Sequence, residues 1–347
     1  MKYALILLTT FIFLQPFGQA AKKRQYGVTF HYSPVVNQVM MMDQMACVDQ
    51  AFCLEGMVEE GDLKGKAFLE RYLKFRQEIL AKRKKGRAEE LFSSYDYAMN
   101  DFLYRKSLEA KTLNELLFLL KGKIADADIQ FLKDLFAFFG PKLKVMLKES
   151  EIFSSKADIL KKSYKKDKGE RVIKKLQRFL KLPSRQHYPI YLIWGQQGKA
   201  AEVRFNEGSL FLFYNPVTQA QEVNLPGVMA PLAEWMVVQM EVAKKSTYSQ
   251  QFKKFCALGP KVKWVHQIQR PIAVVWGKMT FAYERDRKKF DSMAQWSSHP
   301  WVNTFSKLLY PLTVKTVKDR QDIGGDYLYR AGQLCGEVAA LSKLLAQ

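Results

Sequence analysis

Apolar residues recur along this chain at two spacings, one helical and one alternating. Between residues 62 and 155 the helical spacing dominates: Phe68, Leu69, Tyr72, Leu73, Phe75, Ile79 and Leu80 share one face of a predicted helix. The charged run 82–85 and Gly86 close it. Residues 87–108, 113–120 and 129–139 predict three more helices, the last ended by Gly140-Pro141, because proline lacks a donor and clashes with the preceding turn. Upstream, Tyr26, Val28, Phe30 and Tyr32 alternate, as in an edge strand or an extended arm. The run 35–48 that follows predicts a helix. Its three consecutive methionines, Met40 to Met42, read as core in preference to an adaptable binding surface.

The alternating pattern returns after residue 189. Residues 190–194, 203–205 and 210–213 are short β-branched and aromatic runs, and Asn206-Glu207-Gly208-Ser209 supplies a tight turn with a glycine able to take a positive φ. Together they predict a three-stranded antiparallel meander. Leu232, Trp235, Met236, Gln239, Met240 and Ala243 then mark one long helix with an apolar face. Further helices are predicted over 278–293, over 298–310 with Ser298 or His299 as cap and Pro300 in the first turn, and over 326–345. The predicted fold class is α+β and predominantly helical: a helical region over 21–182, then a region over 183–347 with a small antiparallel sheet.

Composition places this fold in a compartment. Lys2, an apolar run over residues 3–14, and the small residues Gly18 and Ala20 follow the grammar of a signal peptide cleaved after Ala20. A run of about twelve is too short to span a bilayer, which needs roughly twenty. The mature chain is therefore expected to be soluble and exported, in the periplasm or outside the cell. Its four cysteines, Cys47, Cys53, Cys256 and Cys335, fit two disulfides there. Of three connectivities, Cys47 with Cys53 and Cys256 with Cys335 are favoured; the second closes a long loop and could contribute about 3 to 4 kcal/mol on the chain-entropy model. None has a histidine nearby in sequence to stabilise a thiolate, which argues against a catalytic cysteine.

The formal net charge is +21, which favours anionic partners. For an exported protein these are membrane headgroups, surface polysaccharide or acidic proteins in preference to nucleic acid, unless the excess is only a well-solvated surface. The most basic stretch is 160–182. There Lys161, Lys162, Lys165, Lys166, Arg171, Lys174, Lys175 and Arg178 surround an apolar stripe of Val172, Ile173, Leu176, Phe179 and Leu180. A basic amphipathic helix of this kind can lie on an anionic membrane or bind an acidic partner. An ordinary surface helix whose stripe packs on the core has the same pattern.

Candidate chemistry centres on the helix around residue 234. In a zinc peptidase of the HExxH kind, two histidines four apart hold the metal, the intervening glutamate activates water, and a later helix gives the third ligand. Here Leu232-Ala233-Glu234-Trp235-Met236-Val237 offers the glutamate but has Ala233 and Val237 at the histidine positions, and Phe281-Ala282-Tyr283-Glu284-Arg285-Asp286 resembles the helix that supplies the glutamate ligand. This layout resembles a degenerate gluzincin-type metallopeptidase. The resemblance implies a scaffold without the zinc ligands, no cofactor, and a groove that holds a peptide by strand addition without cutting it. Glu234, Trp235, Met236, Tyr283 and Glu284 would line that groove.

Other chemistry is less well supplied. Glu234 with Glu241, and Glu284 with Asp291, could divide acid and base roles, although a spacing of seven is also that of any surface stripe. Ser209 lacks the second glycine of a nucleophile elbow. His31, His187, His266 and His299 have no ligand spacing, and Gly195-Gln196-Gln197-Gly198-Lys199 lacks the spacing and hydroxyl of a phosphate loop. The sequence therefore predicts non-catalytic binding, either of a peptide segment in a groove or of an anionic envelope surface along the basic helix, with a metal-independent carboxylate hydrolase as the remaining alternative.

Overall fold

The computed structural model describes residues 27–50, 53–54, 56, 58–81, 101–184, 186–197, 202–206, 208–238, 240, 242–256, 268–278, 291 and 293–344. The predicted leader, most of the helix expected over 87–108, and the segment carrying Tyr283 and Glu284 lie outside these residues. Four strands form one mixed sheet: β1 (Gly27–His31), β2 (His187–Trp194), β3 (Glu202–Asn206) and β4 (Ser209–Tyr214), in the order β1-β2-β4-β3. The alternation at the N-terminus thus becomes an edge strand, with Val28 and Phe30 buried and their neighbours half-exposed.

The expected antiparallel meander is corrected by this order. β3 and β4 do form the predicted hairpin, with Asn206 opposite Ser209 and Gly208 at φ +77°. β2, however, pairs with β4, in parallel, from Ile190 opposite Leu210 to Trp194 opposite Tyr214. The reason lies in composition. β2 and β4 are apolar on both faces and take the sheet centre, as parallel strands covered on two sides do. β3, with Glu202 and Arg204, is left at the edge.

Side chains alternate across the two central strands, so each strand feeds two cores. Ile193, Phe211 and Phe213 face α1 (Pro34–Met45), α2 (Leu63–Ala81), α3 (Phe102–Glu109), α4 (Leu113–Leu120) and α5 (Asp126–Ser150), and Trp194 at the end of β2 joins their core. Tyr188, Ile190, Leu192, Leu210, Leu212 and Tyr214 face the opposite layer. That layer contains α6 (Ile152–Lys166), α7 (Gly169–Phe179), α8 (Leu225–Val238), α9 (Val242–Lys253), α10 (Arg270–Lys278), α11 (Pro300–Lys318) and α12 (Gly325–Leu344). The result is α+β and predominantly helical, as the pattern predicts. Met40, Met41 and Met42 are all core, because α1 is wedged between sheet and helices.

Three helix boundaries differ from expectation. α5 continues through Pro141, since Phe131, Leu135 and Phe139 before it and Leu143 and Met146 after it form one buried stripe. Burial of that stripe exceeds the roughly 3 kcal/mol that an internal proline costs. α11 likewise runs through Pro311 to Lys318, eight residues past the predicted end, while His299 caps it by accepting from the Val302 N–H. The long helix expected around residue 234 is two, α8 and α9. Gly277 of α10 lies so close to α8 that a Cβ there would stand 2.5 Å from that of Ala230.

Both favoured disulfides are present, with Cα separations of 4.4 Å for Cys47–Cys53 and 5.3 Å for Cys256–Cys335. The second ties the end of α9 to α12. No described helix is long and apolar enough to cross a membrane.

Candidate functional site

The basic stretch 160–182 folds as two helices. Lys168 takes a left-handed conformation (φ 54°) between α6 and α7, and Gly169 opens α7 with its Cα so close to Tyr164 that a Cβ would stand 2.2 Å from the ring. Only a glycine fits this corner. The turn sets Lys165 at the end of α6, Lys168 and the cations of α7 around one concavity of about 850 Å³. Lys165, Lys168, Arg171, Lys174, Lys175 and Arg178 line one wall, and Lys318 and Arg320 at the end of α11 line the other. Tyr164 and Val317 form its largely buried floor. Among the described residues the lining holds eight cationic side chains and the one carboxylate of Glu170.

The walls are fixed with respect to each other. The Ile323 N–H donates to the Phe179 carbonyl at 2.8 Å, and Lys181 pairs with Asp322 at 3.0 Å, joining the end of α7 to the loop after α11. Phe179 also meets Tyr327 edge-on, with ring centroids 5.1 Å apart. The concavity is therefore preformed. α7 has no side-chain cap at its N-terminus, so its positive dipole end adds to the local potential. Glu170, in the first turn of α7, is the one carboxylate of the lining and pairs with Lys174 at 2.9 Å.

The structure shows where the apolar stripe of the basic helix goes. Val172, Ile173, Leu176 and Phe179 are all buried in the core beneath α7, so the apolar face that would enter a bilayer is already occupied. Of the predicted basic residues, Lys165, Arg171, Lys174, Lys175 and Arg178 come together at the groove. Lys161, Lys162 and Lys166 are exposed on α6 outside its lining. Lys161 faces His31, whose pKa is lowered by burial and by the nearby His187 and Lys161. Sequence reasoning missed Lys318 and Arg320, which lie about 140 positions from α7, because the helix bearing them was expected to end at residue 310.

The residues expected to line a peptide groove are placed differently. Trp235 and Met236 are 1% and 0% exposed, and Trp235 packs edge-on against Tyr188, so both belong to the core. Their helical spacing is that of a buried face. Ala233 and Val237, at the positions of the motif histidines, are buried beside them. Glu234 accepts from Arg270 Nε at 3.2 Å and keeps 17% of its side chain exposed; burial raises its pKa, and Arg270 opposes that rise. Among the described residues no group of three histidine, cysteine or acidic side chains could hold a metal. Tyr283, Glu284 and Glu241 lie outside the described residues.

A second charged cluster was not foreseen. Arg76 of α2 is buried between Asp43 of α1 and Asp101, the cap of α3, with Nε and Nη2 each 2.9 Å from Asp43 and Nη1 3.1 Å from Asp101. Tyr72 and Tyr104 donate to Asp43, and Arg204 of β3 joins through Tyr104 at 3.3 Å and Asp49 at 3.0 Å. Burial alone would lower the Arg76 pKa, but Asp101 and Asp43 hold it well above its ordinary value. Desolvation and Asp43 hold both tyrosines neutral. The Arg76 guanidinium is fully held by Asp43 and Asp101 within the cluster, which is the behaviour of a structural lock.

No family model, curated protein or solved structure matches the chain.

Proposed function

We propose that this protein is a non-catalytic binding protein that holds an anionic ligand in the groove between α7 and the end of α11, acting in the exported compartment that its leader predicts. The observation that carries this reading is the convergence of cations from elements distant in sequence on one concave, preorganised surface. A solvated charge run needs no second wall. Here like charges are brought together against their mutual repulsion, a cost that an anionic ligand would relieve.

The test is binding of the mature chain to heparin, used as a generic polyanion, at low and moderate salt. Affinity should fall at least about tenfold between about 50 and 200 mM salt, because each cation–anion contact releases counterions. Absence of binding at low salt would refute the reading. Binding indifferent to salt would favour a peptide groove held by backbone hydrogen bonds instead.

A further inference from the structure

Resting on the anion-binding reading of this groove, we infer that its ligand carries several phosphate groups clustered on one scaffold. The first argument is charge density. Lys168 to Arg178 spans about 15 Å at the helical rise of 1.5 Å per residue. The lining around this length carries eight cations and one carboxylate. An extended acidic peptide crossing the same length would place about five residues there, and with alternating side chains about half would face the groove. Two or three carboxylates leave most of the charge uncompensated. A phosphate monoester carries about 1.5 to 2 negative charges and three acceptor oxygens, so three on one scaffold bring about 4.5 to 6 charges and offset most of the surplus.

The second argument is donor geometry. Arg171 and Arg178 lie two helical turns apart on the same face of α7, and Arg320 stands on the opposite wall. Each presents a planar fork suited to phosphate, which lysine alone does not offer. The third is what the lining lacks. Its aromatic side chain among the described residues, Tyr164, is nearly buried and offers little face for a base or sugar to stack on, which disfavours a single-stranded nucleic acid. Recognition here is by clustered charge.

Such phosphates could be free in solution or borne on the headgroup of a phosphorylated lipid, and the same titration separates the two. Calorimetry with sodium tripolyphosphate should show saturable binding, at least about tenfold tighter than orthophosphate and tighter than an oligoglutamate of equal charge. R171E/R178E should abolish it while leaving the circular dichroism unchanged, since both side chains are exposed. Vesicles containing phosphatidylinositol bisphosphate, whose headgroup clusters several phosphates, that bind the protein and release it to tripolyphosphate would locate the phosphates on a lipid. Indifference to those vesicles, with tripolyphosphate still bound, would locate it on a free ligand. Oligoglutamate binding as tightly as tripolyphosphate would overturn the phosphate inference and leave anion binding standing. Failure of heparin, tripolyphosphate and oligoglutamate alike would overturn both.

Discussion

Arg76 is 1% exposed and holds two aspartates from different elements, so its charge cannot be removed alone. R76M would leave Asp43 and Asp101 buried without their cation, and the loss should be about 3 to 5 kcal/mol in denaturant unfolding. A loss under about 1 kcal/mol, typical of an exposed pair, would show that the network is not the lock described here. The histidines of the β1–β2 edge act in the opposite sense. His31 and His187 both meet the Thr29 hydroxyl, at 2.7 and 2.8 Å, and both have pKa values lowered from 6.5, chiefly by burial. The unfolded chain therefore takes up protons first as pH falls. Their contribution to stability is complete above about pH 6.5 and is lost as pH drops below it toward the lowered values. The denaturant midpoint should decline from about pH 7.5 to about 5.5, and H31N/H187N should flatten that decline.

Elements show why part of the fold was legible and part was not. Periodicity located α1, α4, β1 and the β3–β4 hairpin, because each is decided by its own residues. Partner choice is not so decided: β2 sits beside β4 because both bury two faces, a fact about the sheet as a whole. Pro141 reads as a helix end locally and the helix over 298–310 is expected to stop before Pro311, yet the stripes at both prolines stay buried on both sides. Trp235 and Met236 could be read as groove or core, and only the surrounding helices settle that. At the groove, the α7 wall was visible as a basic stripe, while Lys318 and Arg320 required the tertiary fold. The Cys256–Cys335 bridge was legible from parity and compartment. Because it spans 79 positions, C256S/C335S should lose about 4 kcal/mol on the chain-entropy model, measured by equilibrium unfolding under oxidising conditions. An unchanged midpoint would mean that the unfolded chain without the bridge already keeps that loop compact, contradicting the chain-entropy account.

For the molecule as a whole, a mixed sheet between two helical layers sets the end of α7 beside the loop after α11 and so gathers cations distant in sequence around one concavity, the proposed site. If the site needs both walls, neither can act as an independent basic patch. The most direct measurement compares heparin affinity at fixed low salt for the wild-type chain from Ala21 onward, K318E/R320E, and K161E/K162E, which reverses exposed charges on α6 outside the groove. Both substituted pairs are exposed, so both variants should fold. K318E/R320E should weaken binding by at least about tenfold, because it puts like charge against the anion at the second wall. K161E/K162E, with the same change in net charge, should weaken it much less. Equal losses from the two variants would show that only overall charge matters, contradicting the account of a two-walled groove.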